Sequence, residues 1–384
     1  MALPALRIGK HEVQYPIIQG GMGVGISWEN LAGNCARNGI VGVISAVGTG
    51  ARHPQLVRLK NGYPIGSKNS HSREALHQIL KDAKDIAGKG SVIGVNILCA
   101  ITDYGRVARD AIEGGADLII SGAGLPLRLP EYAEGYPDVA LVPIVSSARA
   151  LRVICKHWKR KYNRLPDAVV LEGPKSGGHQ GIPYEDCFKP EYQLENLLPE
   201  VLQERDKWGD FPVIVAGGVW DKDDIEYYIS QGAAGVQMGT RFVGTYECDA
   251  SNTFKKVLLN ADKEDIKLLK SPVGYPARGI VTKLIKDIQN GTAPKVSCIS
   301  NCIVPCNHGE EAKKVGYCIA ERLTDAYRGK YDTGLFFSGS NGYRVKRLVH
   351  VKDLIDELTH GIPSGQDIPI LEQEKQSSPT FINI

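Results

Sequence analysis

The chain has 384 residues, which is long enough for one large α/β barrel with an elaboration or for two ordinary domains. Its 46 Lys and Arg residues nearly balance its 43 Asp and Glu residues, and it has no run of five or six like charges, so we expect no nucleic-acid partner. No apolar run approaches the roughly 18 residues of a membrane span, and the N-terminal residues lack a signal-peptide pattern, so we expect a cytoplasmic protein without membrane contact.

Nine cysteines are spread over the chain rather than concentrated in a short segment. Small secreted proteins pack their cysteines into dense disulfide frameworks, whereas this distribution is typical of reduced thiols, some of which can hold a metal cluster. The sequence therefore predicts a protein of a reducing compartment.

Short apolar segments rich in β-branched residues alternate with segments of helical period up to about residue 260. Their hydrophobicity is continuous rather than alternating, which is typical of strands covered on both faces. The order β, α, β, α therefore predicts a parallel (β/α)8 TIM barrel, with its active site at the C-terminal ends of the strands. The eight predicted strands cover residues 15–22, 40–47, 91–98, 117–124, 140–147, 167–174, 211–218 and 234–242.

The regular alternation stops after residue 248. We predict a barrel core over residues 10–248, then a helical, cysteine-containing cap with the terminal barrel helix over residues 249–360. Residues 361–384 are predicted to be an extended or disordered tail. In the segment GSNGYR, residues 339–344, Tyr343 and Arg344 are expected to cap the last helix, with closure over a substrate as the alternative.

Glycines concentrate at the predicted C-terminal ends of the strands. The segment LEGPKSGGHQG places His179 directly after two glycines, in a loop where the backbone can approach a ligand closely. Glycine-containing turns also follow the seventh and eighth strands, where such barrels bind phosphate through backbone N–H groups. Tight strand-to-helix turns without a ligand are the alternative reading of these glycines.

Five motifs in chain order resemble those of the FMN-dependent nitronate monooxygenase family: PIIQGGMGVGIS, GVNIL, EGPKSGGHQG, VIVAGGV and GVQMGTRF. The same pattern is similar to that of the FMN-dependent enoyl-acyl carrier protein reductases, which share the barrel. The resemblance covers about residues 10–300. It implies a flavoenzyme that holds FMN noncovalently.

The resemblance also implies roles for individual residues. His179 matches the active-site histidine of the family, and an imidazole with an unperturbed pKa of ~6.5 can handle a proton beside the flavin at neutral pH. Glu172 would hydrogen-bond the flavin or position His179, with a solvated or salt-bridged carboxylate as the alternative. The implied cofactor-binding residues are Gly21, Met22, Gly23, Asn96, Glu172, Gly177, Gly178, Gly217, Gly218, Gln237, Met238, Gly239 and Thr240.

Two activities on small-molecule substrates remain open at this point. The first is oxidation of alkyl nitronates through the flavin and oxygen. The second, the alternative to this main prediction, is NAD(P)H-dependent reduction of enoyl thioesters or quinones. It stays open because EGPKSGGH resembles the reductase-like branch at least as closely, and GGHQG is not followed by the acidic residue of well-characterised nitronate monooxygenases. A noncatalytic FMN-binding subunit is a third reading, and the oligomeric state is left open.

Four cysteines late in the chain form a separate pattern, C-x3-C-x3-C-x11-C, made by Cys298, Cys302, Cys306 and Cys318. Thiolates at such spacing can bind an iron–sulfur cluster or zinc. The spacing is similar to, but one residue longer than, that of the cluster loop of iron–sulfur flavoenzymes related to dienoyl-CoA reductase. A [4Fe-4S] cluster, a zinc ion and simple buried thiols are the three readings of this loop.

Overall fold

The structure is a computed structural model that describes residues 3–298 and 300–362. Its strands are β1 (Leu6–Ile8), β2 (His11–Val13), β3 (Ile17–Gln19), β4 (Gly42–Ser45), β5 (Leu59–Lys60), β6 (Tyr63–Pro64), β7 (Ile93–Leu98), β8 (Leu118–Gly122), β9 (Ala140–Val145), β10 (Val169–Glu172), β11 (Gly178–His179), β12 (Val213–Ala216), β13 (Gly235–Met238), β14 (Ile266–Leu269) and β15 (Ala277–Ile280).

The α-helices of the described residues are α1 (Glu29–Arg37), α2 (Gly66–Ser70), α3 (Arg73–Ala87), α4 (Tyr104–Glu113), α5 (Leu129–Tyr132), α6 (Ala148–Tyr162), α7 (Leu194–Arg205), α8 (Lys222–Ser230), α9 (Thr240–Val243), α10 (Asn252–Leu259), α11 (Lys283–Gln289), α12 (Glu310–Val315), α13 (Ile319–Tyr327) and α14 (Val351–His360). None of these helices has both the length and the apolar character needed to cross a membrane.

Eight parallel strands form the barrel predicted from the sequence. Neighbouring strands follow the order β3-β13-β12-β10-β9-β8-β7-β4. The two ends of this order, β3 and β4, also meet. The backbone N–H of Gln19 in β3 donates to the carbonyl of Val41, just before β4, at 2.9 Å, and the Val41 N–H donates to the Ile17 carbonyl at 3.1 Å. The sheet therefore closes on itself, and the (β/α)8 prediction is confirmed.

The continuous hydrophobicity of the strands reflects two separate cores. In β8, Leu118 and Ile120 belong to the cluster inside the barrel, whereas Ile119 between them packs with the outer layer of helices. Successive side chains of a strand point to opposite faces, so both faces of each barrel strand must be apolar. Leu6 and Ile8 of the β1–β2 hairpin join the inner cluster and close the N-terminal end of the barrel.

The outer helices follow from local sequence signals. Helix α3 begins after Ser72, whose hydroxyl accepts a hydrogen bond from the N–H of Ala75, and it ends at Gly88, which has φ of +85°. Its apolar residues recur at helical spacing and are buried against the barrel. They include Ala75, Leu76, Ile79, Leu80 and Ala83.

Much of the chain after residue 248 packs over the C-terminal ends of the barrel strands, whereas α14 packs against α1 and α8 in the outer ring of helices. Here β14 and β15 form an antiparallel sheet with β11, in which His179 pairs with Ala277. Helices α11 to α13 add a third apolar cluster that includes Cys302, Ile303 and Tyr317. The sheet ties the loop after β10 to this later part of the chain. The domain boundaries at 248 and 360 stay predictions, and the predicted tail lies outside the described residues from 363 onward.

Candidate active site

A cavity of about 520 Å³ opens at the C-terminal ends of the barrel strands, where the sequence predicts the active site. Loops after most of the barrel strands line it, and the residues after 248 supply the remaining wall. All of the residues predicted for the site line it: Gly21, Met22, Gly23, Asn96, Glu172, Gly177, Gly178, His179, Gly217, Gly218, Gln237, Met238, Gly239 and Thr240.

The loop after β3 lies against Asn96 of β7. A Cβ atom on Gly21 would overlap the Cβ of Asn96, and a Cβ on Gly23 would lie 2.7 Å from the Ser45 hydroxyl. The N–H of Met22 donates to the Ser27 hydroxyl at 2.8 Å, which folds the loop back on itself. Glycine at positions 21 and 23 therefore lets the backbone form the floor of the cavity, with the Asn96 side chain beside it.

His179 projects from β11 into the cavity wall. Its Nε2 lies 2.7 Å from the Ser271 hydroxyl, and the Phe337 ring meets the imidazole edge-on with 5.5 Å between ring centroids. Burial lowers the pKa of His179 to about 4, because the charged imidazolium would lose its hydration there. The imidazole is therefore neutral at neutral pH.

Glu172 ends strand β10 at the cavity wall. Burial raises the pKa of its carboxyl group to about 7, and a hydrogen bond from Ser176 opposes that rise. Among the described residues it forms no ion pair, and the hydrogen-bond partner of His179 is Ser271 rather than Glu172. Within the described residues, Glu172 is therefore neither salt-bridged nor in direct contact with His179 through a hydrogen bond.

The two glycines before His179 are required for different reasons. Gly178 has φ of +73°, which favours glycine. A Cβ on Gly177 would lie 2.7 Å from the backbone nitrogen of Gly339 and 2.8 Å from the carbonyl carbon of Ser338. The close approach at Gly177 is thus to another segment of the chain.

The far end of the cavity is built from the turns after β12 and β13. Gly217 and Gly218 have φ of +100° and +93°. Among the described residues, the backbone N–H groups of Gly217, Gly218 and Gly239 donate no hydrogen bond to another part of the chain. The side-chain oxygen of Gln237 is buried there without a partner among the same residues. These are unpaired polar groups that a ligand can satisfy.

A profile of the nitronate monooxygenase family matches residues 5–361 of the chain. The chain belongs to this family. Two curated relatives, both named "Probable nitronate monooxygenase", from Staphylococcus aureus strains Newman and USA300, are 33% identical to it over 127 residues. Those residues are 32% of this chain and 34% of each relative, so the match spans about a third of the relatives' length.

Solved structures similar to this nitronate monooxygenase family member share its barrel. FabK from Thermotoga maritima superposes with a TM-score of 0.68 and 21% identity, covering 91% of this chain and 93% of that one. Nitroalkane oxidase from Streptomyces ansochromogenes superposes with a TM-score of 0.64 and 19% identity, covering 95% and 98%. At these identities the likeness shows a common fold.

One wall of the cavity in this family member was not expected from the sequence. Ser338, Gly339, Ser340 and Asn341 line the cavity beside the turns after β12 and β13. The N–H of Gly339 donates to the Thr240 hydroxyl at 2.8 Å, and the Asn341 amide donates to the Gly218 carbonyl at 2.7 Å. The cap of the last helix that we expect from Tyr343 and Arg344 stays a prediction. The segment SGSNG has the small, polar composition of the strand-end loops, and this composition could have indicated that it lies at the cavity.

The four cysteines of the predicted cluster loop are all free thiols, and Cys302 lines the cavity. Burial, together with the three other thiols of the loop, raises the pKa of Cys302 to about 12. Within the described ranges, however, no group of three or more His, Cys, Asp or Glu side chains is arranged to hold a metal ion. The thiols lie near one another without forming a preassembled metal site. Cys35, Cys155, Cys187 and Cys248 are buried in the core.

A second histidine lines the cavity of this family member, and sequence analysis missed it. His71 follows α2 and is 2% exposed. Its Nδ1 accepts a hydrogen bond from the Gly48 N–H at 3.4 Å, and its Nε2 is buried without a partner among the described residues. Burial lowers the pKa of His71 to about 4. His71 stands between Ser70 and Ser72, and a histidine between two polar residues carries no periodic signal.

Replacing His71 with glutamine is expected to reduce the loss of stability in acid. The unfolded chain binds a proton at this position below a pKa of about 6.5, whereas the folded chain does so only below about 4. The free energy of unfolding therefore falls as pH drops below about 6.5. At pH 5 this loss amounts to about 2 kcal/mol. Urea unfolding at pH 7.5 and 5.0 measures the difference.

The matched control for this prediction is His11→Gln, on the β2 hairpin at the opposite end of the barrel. We expect this control to lose as much stability between the two pH values as the unmodified protein. If His71→Gln shows the same loss as the control, His71 does not resist protonation in the folded state.

Proposed function

We propose that this chain is an FMN-dependent oxidoreductase that oxidises alkyl nitronates with oxygen in the cavity described above. The observation that carries the proposal is His179, a neutral imidazole beside Phe337 in the wall of a cavity whose opposite end holds unpaired backbone N–H groups. Family membership supports the same activity. A cytoplasmic location is part of the proposal, supported by the free state of all nine cysteines.

The residues of the cavity fit FMN. The free N–H groups of Gly217, Gly218 and Gly239 suit the oxygens of a phosphate, since successive backbone donors form an anion-binding concavity. The unpartnered oxygen of Gln237 suits a donor group of the same ligand. Asn96 and the glycine loop at 21–23 leave room for a flat ring over the backbone.

When bound, FMN would supply the electron transfer between nitronate and oxygen. The residues of the chain handle charge and protons around it. His179 is neutral, so it can hold or accept a proton at a cavity-facing nitrogen without first losing one. Glu172, with a pKa of about 7, is protonated about half of the time at neutral pH, which reduces repulsion of an anionic nitronate.

The second candidate is NAD(P)H-dependent reduction of enoyl thioesters or quinones. It is favoured by the apolar part of the cavity wall made by Ile303, Ile319 and Leu323, which suits a longer apolar substrate than a small nitronate. Both candidates need the same flavin and the same histidine.

Anaerobic stopped-flow absorbance of the purified protein distinguishes the two candidates. Mixing with ethyl nitronate alone is expected to bleach the flavin spectrum rapidly, while NADH and NADPH bleach it slowly. Rapid bleaching by either nicotinamide would establish the reductase instead. A purified protein without flavin absorbance, and with no binding of added FMN, would contradict both candidates.

We further propose that the four-thiol loop takes up a [4Fe-4S] cluster. In support, the thiols lie close enough together for their neighbours to raise the pKa values of Cys302 and Cys318. Among the described residues no three such side chains are arranged to hold a metal ion, and no step of the reaction is routed through a cluster. Iron and acid-labile sulfide analysis of anaerobically purified protein tests this proposal. Stoichiometric iron that disappears in Cys302→Ser would support it, and iron-free protein would overturn it.

A further inference from the structure

Lys175 follows β10 and lines the cavity at the end built from the turns after β12 and β13. A Cβ atom added to Gly218 would lie 2.9 Å from Cδ of Lys175 and 3.1 Å from its Cβ. The carbonyl of Lys175 accepts a hydrogen bond from the Ser340 N–H at 3.0 Å. The stem of this lysine is therefore packed against a turn whose backbone N–H groups are unpaired among the described residues.

The ammonium group of Lys175 has a loose charge partner. Its Nζ lies 3.8 Å from Oε1 of Glu195, and the two side chains are 49% and 40% exposed. An exposed ion pair at such a separation contributes little free energy. The same Oε1 accepts a hydrogen bond from the Tyr228 hydroxyl at 3.1 Å, so Glu195 keeps a donor when the lysine moves away. Lys175 can therefore leave Glu195 at small cost.

A second cation lines the same end of the cavity, but its contacts hold it in place. The guanidinium of Arg241 forms an ion pair with Glu357 and lies over the Trp220 ring, 4.9 Å from the ring centroid. The Arg241 side chain is 13% exposed. A lysine, by contrast, carries its charge on a flexible four-carbon stem. Lys175 is therefore the cation at this end that can turn toward a bound anion.

We propose that Lys175 leaves Glu195 when FMN binds and donates a hydrogen bond to the phosphate group of the cofactor. This inference rests on the proposed function, and it adds a full positive charge to the unpaired N–H groups of Gly217, Gly218 and Gly239. A phosphate monoester carries about −1.5 to −2 charges at pH 7, whereas riboflavin has the same ring system with an uncharged alcohol in place of the phosphate. Lys175 therefore makes the site selective for FMN over riboflavin.

The experiment is fluorescence titration of the cofactor-free protein with FMN and, separately, with riboflavin. In Lys175→Gln we expect the Kd for FMN to rise roughly 3- to 10-fold at low ionic strength, because a charge-assisted hydrogen bond to the phosphate is lost. The Kd for riboflavin is expected to stay the same. Added NaCl should weaken FMN binding more steeply in the unmodified protein than in Lys175→Gln, since salt screens a partly exposed charge pair.

Two further variants sharpen the test. Lys189→Gln is the matched control: this lysine is 51% exposed, pairs with Asp186 at 2.6 Å and is not among the residues that line the cavity. It changes the net charge by the same amount and should leave the Kd for FMN unchanged. Glu195→Gln removes the carboxylate that competes for Lys175, so we expect it to tighten FMN binding roughly 2- to 5-fold without affecting riboflavin.

Two results would overturn the role of Lys175 and leave the proposed function intact. One is a Lys175→Gln variant in which the ratio of the FMN and riboflavin affinities equals that of the unmodified protein. The other is an equal loss of FMN affinity in Lys175→Gln and Lys189→Gln, which would show an effect of net charge alone. A protein that binds neither FMN nor riboflavin would contradict the proposed function itself, and this inference with it.

Discussion

Replacing His179 with alanine is expected to lower turnover by about 10²- to 10⁴-fold while FMN remains bound. The imidazole lies at the cavity wall on β11, whereas the unpaired N–H groups of Gly217, Gly218 and Gly239 lie in the turns after β12 and β13. The substitution therefore removes the proposed proton-handling group without altering those turns. Turnover with ethyl nitronate, and the ratio of flavin to protein absorbance in the same preparation, measure the two effects separately.

The control for this prediction is His11→Ala, which changes a histidine at the closed end of the barrel that contacts the Asp138 carbonyl at 3.0 Å. It should retain full activity and full flavin content. A fully active His179→Ala variant would contradict the catalytic role, and a variant without flavin would show that His179 acts in cofactor binding.

Replacing Gly217 with alanine is expected to weaken FMN binding by roughly 10- to 100-fold. Gly217 has φ of +100°, and a Cβ atom there would lie 2.8 Å from the Gly173 carbonyl oxygen and 3.0 Å from the Ser176 nitrogen. Both neighbours are backbone atoms, so the clash can be relieved only by moving the turn and its free N–H groups. Quenching of FMN fluorescence during titration of the cofactor-free protein gives the change in Kd.

Gly88→Ala separates backbone strain from loss of the binding turn. Gly88 has φ of +85°, but nothing lies within 4 Å of a Cβ added there, and it ends α3 away from the cavity. We expect this control to be less stable yet to bind FMN with unchanged affinity. Equal losses of FMN affinity in both variants would show that the turn at Gly217 does not hold the cofactor.

Much of the barrel could be predicted because its signals are local. Each strand of the barrel carries apolar side chains on both faces, as Leu118, Ile119 and Ile120 do in β8, and this produces a short continuous apolar run. Helix α3 is marked by a serine cap, a 3.6-residue period and a final glycine. These patterns depend on neighbours within a few residues, so the order and number of strands could be predicted from the chain alone.

The reasons for individual glycines were harder to predict. The motif resemblance implies that Gly177 makes room for a cofactor. In the structure, the atoms that exclude a side chain at this position belong to Ser338 and Gly339. A glycine is permissive for any close approach, and its position does not show which partner approaches. The partner in this case is more than 150 residues away in the sequence.

The sequence by itself determined the barrel, the placement of glycines at the strand ends and the candidacy of His179, because period, turn chemistry and short motifs are encoded locally. Only the tertiary structure decided that Ser271 contacts His179, that His71 lines the cavity and that residues 338–341 complete its wall. These contacts form where the β11–β15–β14 sheet and the later helices pack over the strand ends. Such packing follows from burial of apolar surface between distant segments, which has no short-range pattern to reveal it.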